Sequence, residues 1–319
     1  MTTLTDRVDG YQRRHPWAGF PLAVIYKYID DGGGHLAALL AYYAFLSMFP
    51  LLLLASTILG LVLSGNPEAQ KAVLDSALSQ FPVIGAQLSN PERVGGGTAG
   101  LIVGGLGALY GGLGIAVAAQ AAMNTAWMVP RNNRPNPLQA RGRGLLLLVT
   151  VGSAVLVTSV LSALGGGAGP LGAGLRVAVL IASVTVNAGA FVVGFRVATA
   201  RHLSVREVAP GAVGAAVIWQ LLQIFGAGYV GHVVRNASDT NSVFALVLGM
   251  IAFLYIASVA IVFCVEVNVV RVERLYPRSL LTPLTDDVDL TMGDVRAYTD
   301  QAKAARFKGF EHIDVRFKK

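Results

Sequence analysis

Charge is scarce in this 319-residue chain: Asp, Glu, Lys and Arg make up 13% of it, about half the share found in soluble domains. A soluble fold so poor in charge could not cover its own surface. Cysteine is scarcer still. The single Cys264 excludes an internal disulfide, a cysteine-based zinc site and a CxxC redox pair. The five histidines (His15, His35, His202, His232 and His312) form no HExxH or HxH arrangement. GxSxG, a Walker lysine and a strand-to-helix Rossmann pattern are also absent. No catalytic residue, metal or cofactor is therefore expected, and no enzyme. The 37 glycines follow no three-residue period, which excludes collagen.

Apolar residues make up 54% of the chain, with a mean hydropathy of +0.59. Six runs lack Asp, Glu, Lys and Arg altogether: 36–67, 94–130, 144–175, 177–195, 208–234 and 240–265. A helix needs about 20 apolar residues to cross the hydrocarbon core. The sequence predicts an all-α, polytopic membrane protein with six spans, near 36–63, 98–128, 144–164, 175–197, 208–230 and 243–268.

Lys and Arg set the orientation. Four precede span 1, four lie between spans 2 and 3, three between spans 4 and 5, and ten from Arg271 onward, so 21 share one side against four on the other. The positive-inside rule places both termini in the cytoplasm and the protein in the cytoplasmic (inner) membrane. Residues 1–34 read as a cytoplasmic segment, 35–275 as the six-helix domain and 276–319 as a polar tail. No cleavable leader is expected.

Near Pro21 to Asp31, Leu22, Val24, Ile25 and Ile29 mix with Lys27, Asp30 and Asp31. This is either a helix on the membrane surface or a packed cytoplasmic cap. The external loop 64–97 shows helical spacing of Ala69, Ala72, Val73, Leu78 and Phe81, which predicts an amphipathic helix. The tail beyond about 280 is expected to be mostly disordered or loosely helical.

Within the spans, Gly100, Gly104, Gly107, Gly111, Gly114, Ala118, Ala121 and Thr125 form one small-residue stripe. Such a face lets helix backbones approach closely. It suits either a pore-lining helix or tight packing at the bundle centre, and packing is preferred. In span 1, Tyr43, Ser47 and Pro50 share a face, and Pro50 deprives the Leu46 carbonyl of its usual donor. Asn187, Gln220 and Gln223 lie near mid-span, and Gln120 and Asn124 form an i, i+4 pair toward the cytoplasmic end of span 2. Polar groups in lipid must face protein or water. Glu266 is the one acid in or beside the last span, and an arginine such as Arg196, Arg201 or Arg206 is its expected partner.

Three segments carry a family resemblance: HLAALLAYYAFLSMFPLLLL (35–54), ALYGGLGIAVAAQAAMNTAW (108–127), and PGAVGAAVIW (210–219) together with VEVNVVRVER (265–274). They resemble the YihY/BrkB family of bacterial inner-membrane proteins over about residues 20–275. Asn124 falls at the family's Leu-Asn position. Glu266 and Asn268 fall in its Glu-Leu-Asn, with Val267 standing in for leucine. The family's span-2 serine position here lies within a glycine run. The resemblance implies six helices in the cytoplasmic membrane. Some members are named as serum-resistance or virulence factors, and some carry a ribonuclease BN label. A lipid or envelope-precursor transport role is hinted at within the family.

Two functions fit the residues. One is a transporter or flippase-like protein for a lipid or envelope precursor. Its candidate path is Tyr43, Ser47, Pro50, Gln120, Asn124, Asn187, Gln220, Gln223, Glu266 and Asn268. The other is a structural or regulatory membrane protein of the envelope. An RNA-processing enzyme is opposed by the lack of an acid–base or metal cluster. Membrane lipids are the expected partners, with anionic lipid contact through the basic loops. No nucleic acid is expected.

Overall fold

The computed structural model describes residues 4–62, 97–166, 172–236, 239–285 and 287–317. The expected external helix near 64–97 lies outside them, apart from residue 97. The described residues are predominantly helical, with no strand among them. The helices are α1 (Leu4–Arg14), α2 (Pro16–Asp30), α3 (Gly33–Val62), α4 (Gly97–Ala126), α5 (Pro137–Gly166), α6 (Gly172–Ala198), α7 (Val205–Asn236), α8 (Asp239–Glu273) and α9 (Met292–Ala304).

The charge-free runs become long helices because lipid leaves backbone amides no partner outside their own segment. Five stretches are long and apolar enough to cross a membrane: Gly105–Ala126, Pro137–Ser162, Gly174–Ala198, Val205–Gly226 and Val247–Glu273. The 30 residues of α3 contain no Asp, Glu, Lys or Arg. The helix assignment is continuous through position 50, whose side chain lies outside the described set.

Each helix from α3 to α8 packs on the next, and α8 returns to α3, closing a ring. α4 also touches α6 and α8 and so sits toward the middle. Its small-residue stripe explains why. A β-carbon on Gly111 would lie 2.6 Å from the Ser47 Cα, and one on Gly114 would collide with the Tyr43 ring. At Gly111 and Gly114 the stripe is thus the seam between α3 and α4, as the packing reading expects there. The outer faces carry exposed Leu106, Tyr110, Val149, Leu156 and Ile181, an apolar wall with the character of a lipid-facing surface.

Two helices end without the glycine usual at a left-handed C-terminal position. Met128 takes φ 51° and Arg274 φ 54°. After α4 the Val129 N–H donates to the Asn124 carbonyl and the Met128 N–H to the Thr125 carbonyl, both at 2.9 Å. This Schellman arrangement stops α4 just before Pro130 and turns Trp127 inward, where it is buried.

The N-terminal helices and the tail form a cap at one end of the ring. α2 lays Ala23, Val24 and Lys27 against the bundle and leaves Trp17, Pro21, Ile25 and Ile29 exposed at four-residue spacing. It is a packed cap with an open apolar stripe. The expectation of a disordered or loosely helical tail fails. Thr291 and Asp294 close a capping box at the start of α9. Asp294 also accepts from Arg278 Nε at 2.5 Å and from the Ser279 N–H at 2.9 Å. Arg278 reaches Asp30 at 3.0 Å on its other side. Gln12 Nε2 donates to the Arg278 carbonyl at 2.5 Å, and Tyr26 donates to that of Leu280. Tail and N-terminus therefore fold as one unit, held by charges that have left water.

Candidate functional site at the cap end of the helices

Three polar constructions meet at the cap end. The first joins α7 to α8. Pro210 has no amide hydrogen and leaves the Arg206 carbonyl without its helical donor. Arg271 Nη2 donates to that carbonyl at 2.7 Å and to Glu207's at 3.0 Å. Asn268 is wholly buried. Its Oδ1 accepts from the Gly211 N–H at 2.8 Å, and its Nδ2 donates to the Val208 carbonyl at 3.0 Å. Any β-carbon at 211 would lie 2.5 Å from Asn268 Nδ2 and closer still to the Cys264 carbonyl oxygen. The Pro-Gly-Ala and Glu-x-Asn segments are two halves of one joint.

The second fastens α4. The Ala200 N–H donates to Asn124 Oδ1 at 2.7 Å, tying α4 to the turn after α6. Gln120 Nε2 donates to the Ala140 carbonyl of α5 at 2.8 Å and to its own helix at Ala116, 3.2 Å away.

The third is a buried ion cluster. Lys27 of α2, Asp31 in the following turn and Glu266 of α8 have side chains only 2%, 3% and 0% exposed. Lys27 Nζ bonds the Asp31 carboxylate, donates to the Ala126 carbonyl at 3.1 Å and lies 3.6 Å from Glu266 Oε2. Burial alone would lower the Lys27 pKa, but facing Glu266 and Asp31 outweighs it and holds the ammonium above the usual lysine range. Burial lifts Asp31 above the usual carboxylate range, against the pull of Lys27. The expected arginine partner for Glu266 is thus corrected to Lys27. Arg196 Nε instead donates to the Leu203 carbonyl at 2.8 Å, and Arg201 pairs with Glu273 at 2.7 Å. Both guanidiniums are exposed at the end of α6, whereas the Lys27 stem reaches the inner side of α8.

Beside these lies an open cavity of about 310 Å³ lined by Val193, Arg196, Val197, Arg201, His202 and Leu203. The Arg201 guanidinium stacks 5.5 Å from the Trp127 ring. The cavity lining combines apolar Val193, Val197 and Leu203 with basic Arg196 and Arg201 and the His202 imidazole.

Of the remaining candidates, Tyr43 and Ser47 face α4, and the buried Ser47 hydroxyl donates back to the Ala44 carbonyl at 3.0 Å. Asn187 on α6, and Gln220 and Gln223 on α7, are half-buried. Ser47 meets Gly111 of α4. Sequence reading missed Lys27 and Asp31 as site residues. Their i, i+4 spacing was the available signal.

The profile of the family described as "Virulence factor BrkB" matches residues 24–287. The chain belongs to the BrkB family. The BrkB match takes in Lys27, Asp31, Glu266, the α7–α8 joint and the cavity, and it stops short of α1 and α9. No curated protein and no solved structure is significantly similar to the chain.

Proposed function

We propose that this BrkB-family chain is a six-span protein of the cytoplasmic membrane that moves an anionic lipid or envelope precursor across the bilayer. In this reading α3 is the sixth crossing. At 30 residues it is about 45 Å long, more than the hydrocarbon core requires. The cap and both termini face the cytoplasm, as the 21-to-4 division of Lys and Arg favours. The observation that carries the proposal is the cavity at the end of α6. Arg196, Arg201 and His202 offer donors to a phosphate, while Val193, Val197 and Leu203 offer a wall to an acyl chain. The protein binds and reorients its cargo without changing a bond in it.

A second reading is a static envelope protein. It is favoured by Gln120, Asn124 and Asn268, each of which ties one helix to a neighbour.

Vesicles containing the purified protein, loaded with fluorescent phosphatidylglycerol or phosphatidylcholine, separate the two. A membrane-impermeant quencher should reach the anionic lipid of the inner leaflet faster than in empty vesicles. Arg196→Gln should slow that rate about tenfold, since one charge-assisted hydrogen bond is worth roughly 1.5 kcal/mol or more. Equal rates with and without protein would leave the static reading standing.

A further inference from the structure

The cluster of Lys27, Asp31 and Glu266 holds two acids and one base. With all three ionised it carries one net negative charge, sealed from water. A buried unpaired charge costs far more than a neutral group, and such sites neutralise where they can. Lys27 already makes its close bonds to Asp31 and to the Ala126 carbonyl. Glu266 receives no hydrogen bond at either carboxylate oxygen, although its side chain is wholly buried. Asp31 and Glu266 both lie against the one Lys27 ammonium, and two neighbouring carboxyls can bond each other only when one carries a proton.

We infer that Asp31 and Glu266 form a proton-binding site in which the two carboxyls share a single proton beside the Lys27 ammonium. The proton comes from bulk water onto one carboxylate oxygen when the cap transiently opens. It leaves by the same route, without breaking any other bond. A metal ion is the poorer occupant, because the Lys27 ammonium fills the cation position.

The groups facing this site are few. From α2 come Lys27 and the Tyr28 phenol, and from the next turn Asp31. From α4 comes the Ala126 carbonyl, and from α8 come Glu266 and Tyr255. Asp30, next in the chain, is turned to Arg278. The Tyr28 and Tyr255 hydroxyls both lie near Gly34, 4.0 and 3.6 Å from where its β-carbon would be.

The site joins the cap helix to the last span, so its charge state bears on how firmly α2 is held. Asp31 binds its proton more tightly in the folded chain than in the unfolded one. Its contribution to stability is therefore present at low pH and lost as pH rises through the raised Asp31 range. Lys27 stays charged throughout, its own pKa being raised. The inference does not rest on the transport reading.

Infrared spectroscopy of the purified full-length protein in lipid nanodiscs tests it. At neutral pH the wild type should show the C=O stretch of a protonated carboxyl, and the band should fade as pH rises. Either Glu266→Gln or Asp31→Asn alone should abolish it, because the remaining acid then pairs with Lys27 and needs no proton. Lys27→Met should roughly double the band, since both acids must then be neutral. If one variant fails to fold, the other two still decide. A wild-type band that survives in both single-acid variants would overturn the proposal. So would a wild type with no such band at any pH above the ordinary carboxylate range, or a band removed by Na⁺ or Ca²⁺ at constant pH.

Discussion

Replacing Gly211 with valine should leave almost no folded protein after detergent extraction. A side chain at 211 meets the Cys264 carbonyl and the Asn268 amide, both fixed by the joint between α7 and α8. Overpacking a well-filled core usually costs about 1–3 kcal/mol. Here the obstacle is backbone rather than a flexible side chain, so the cost should reach the top of that range or pass it. The Gly211 N–H bond to Asn268 is lost with the separation. Gly189→Ala is the control, because nothing lies within 4 Å of a β-carbon there. It should leave the melting temperature unchanged or raise it, as alanine is the better helix former. Size-exclusion profiles and thermal shift in the same detergent would measure both.

Replacing Arg278 with methionine should release the tail. Arg278 has no exposed surface and bridges Asp294 and Asp30. Removing one partner of a buried pair costs about 3–5 kcal/mol, because the other charge stays buried alone. The penalty falls on Asp294, which organises the start of α9. Limited trypsin digestion should then cut at Arg296, Lys303 and Lys308 much faster than in the wild type, while the ring of α3 to α8 stays intact. Unchanged digestion would mean that the tail docks without its central ion pair.

The tail shows where sequence reading stops. Its acids followed by bases resemble a solvated extension, yet groups in it find partners more than 240 residues away in the chain, among them the Arg278 guanidinium with Asp30 and the Leu280 N–H with Asp9. Pattern along the chain carries no trace of such pairings. The local sign that did exist was Thr291 three residues before Asp294, a capping signature. Lys27 and Asp31 escaped for a related reason. On one amphipathic helix they look like a surface pair, and only α8 closing over them takes them out of water. The spans were far more legible. Absence of charge over about 20 residues points to a membrane crossing, and the stripe through Gly111 and Gly114 announced a close helix seam. Asn124 was found by residue type, and Asn268 through the family resemblance of the segment around it. The sequence could show that they need partners, but the bonds to Ala200 and Gly211 depend on how the helices pack.

The proposed role of the lipid cavity holds only if the cap faces the cytoplasm and the chain crosses six times. Single cysteines at Ser79, Gln139 and Lys303, each in a Cys264→Ala background, test this in intact cells with an impermeant maleimide. Ser79 lies between the first two charge-free runs, Gln139 in the first turn of α5 and Lys303 on α9. The cysteine at 79 should label from outside, and those at 139 and 303 only after the membrane is opened. Labelling of 139 and 303 in sealed cells, with 79 protected, would contradict the account.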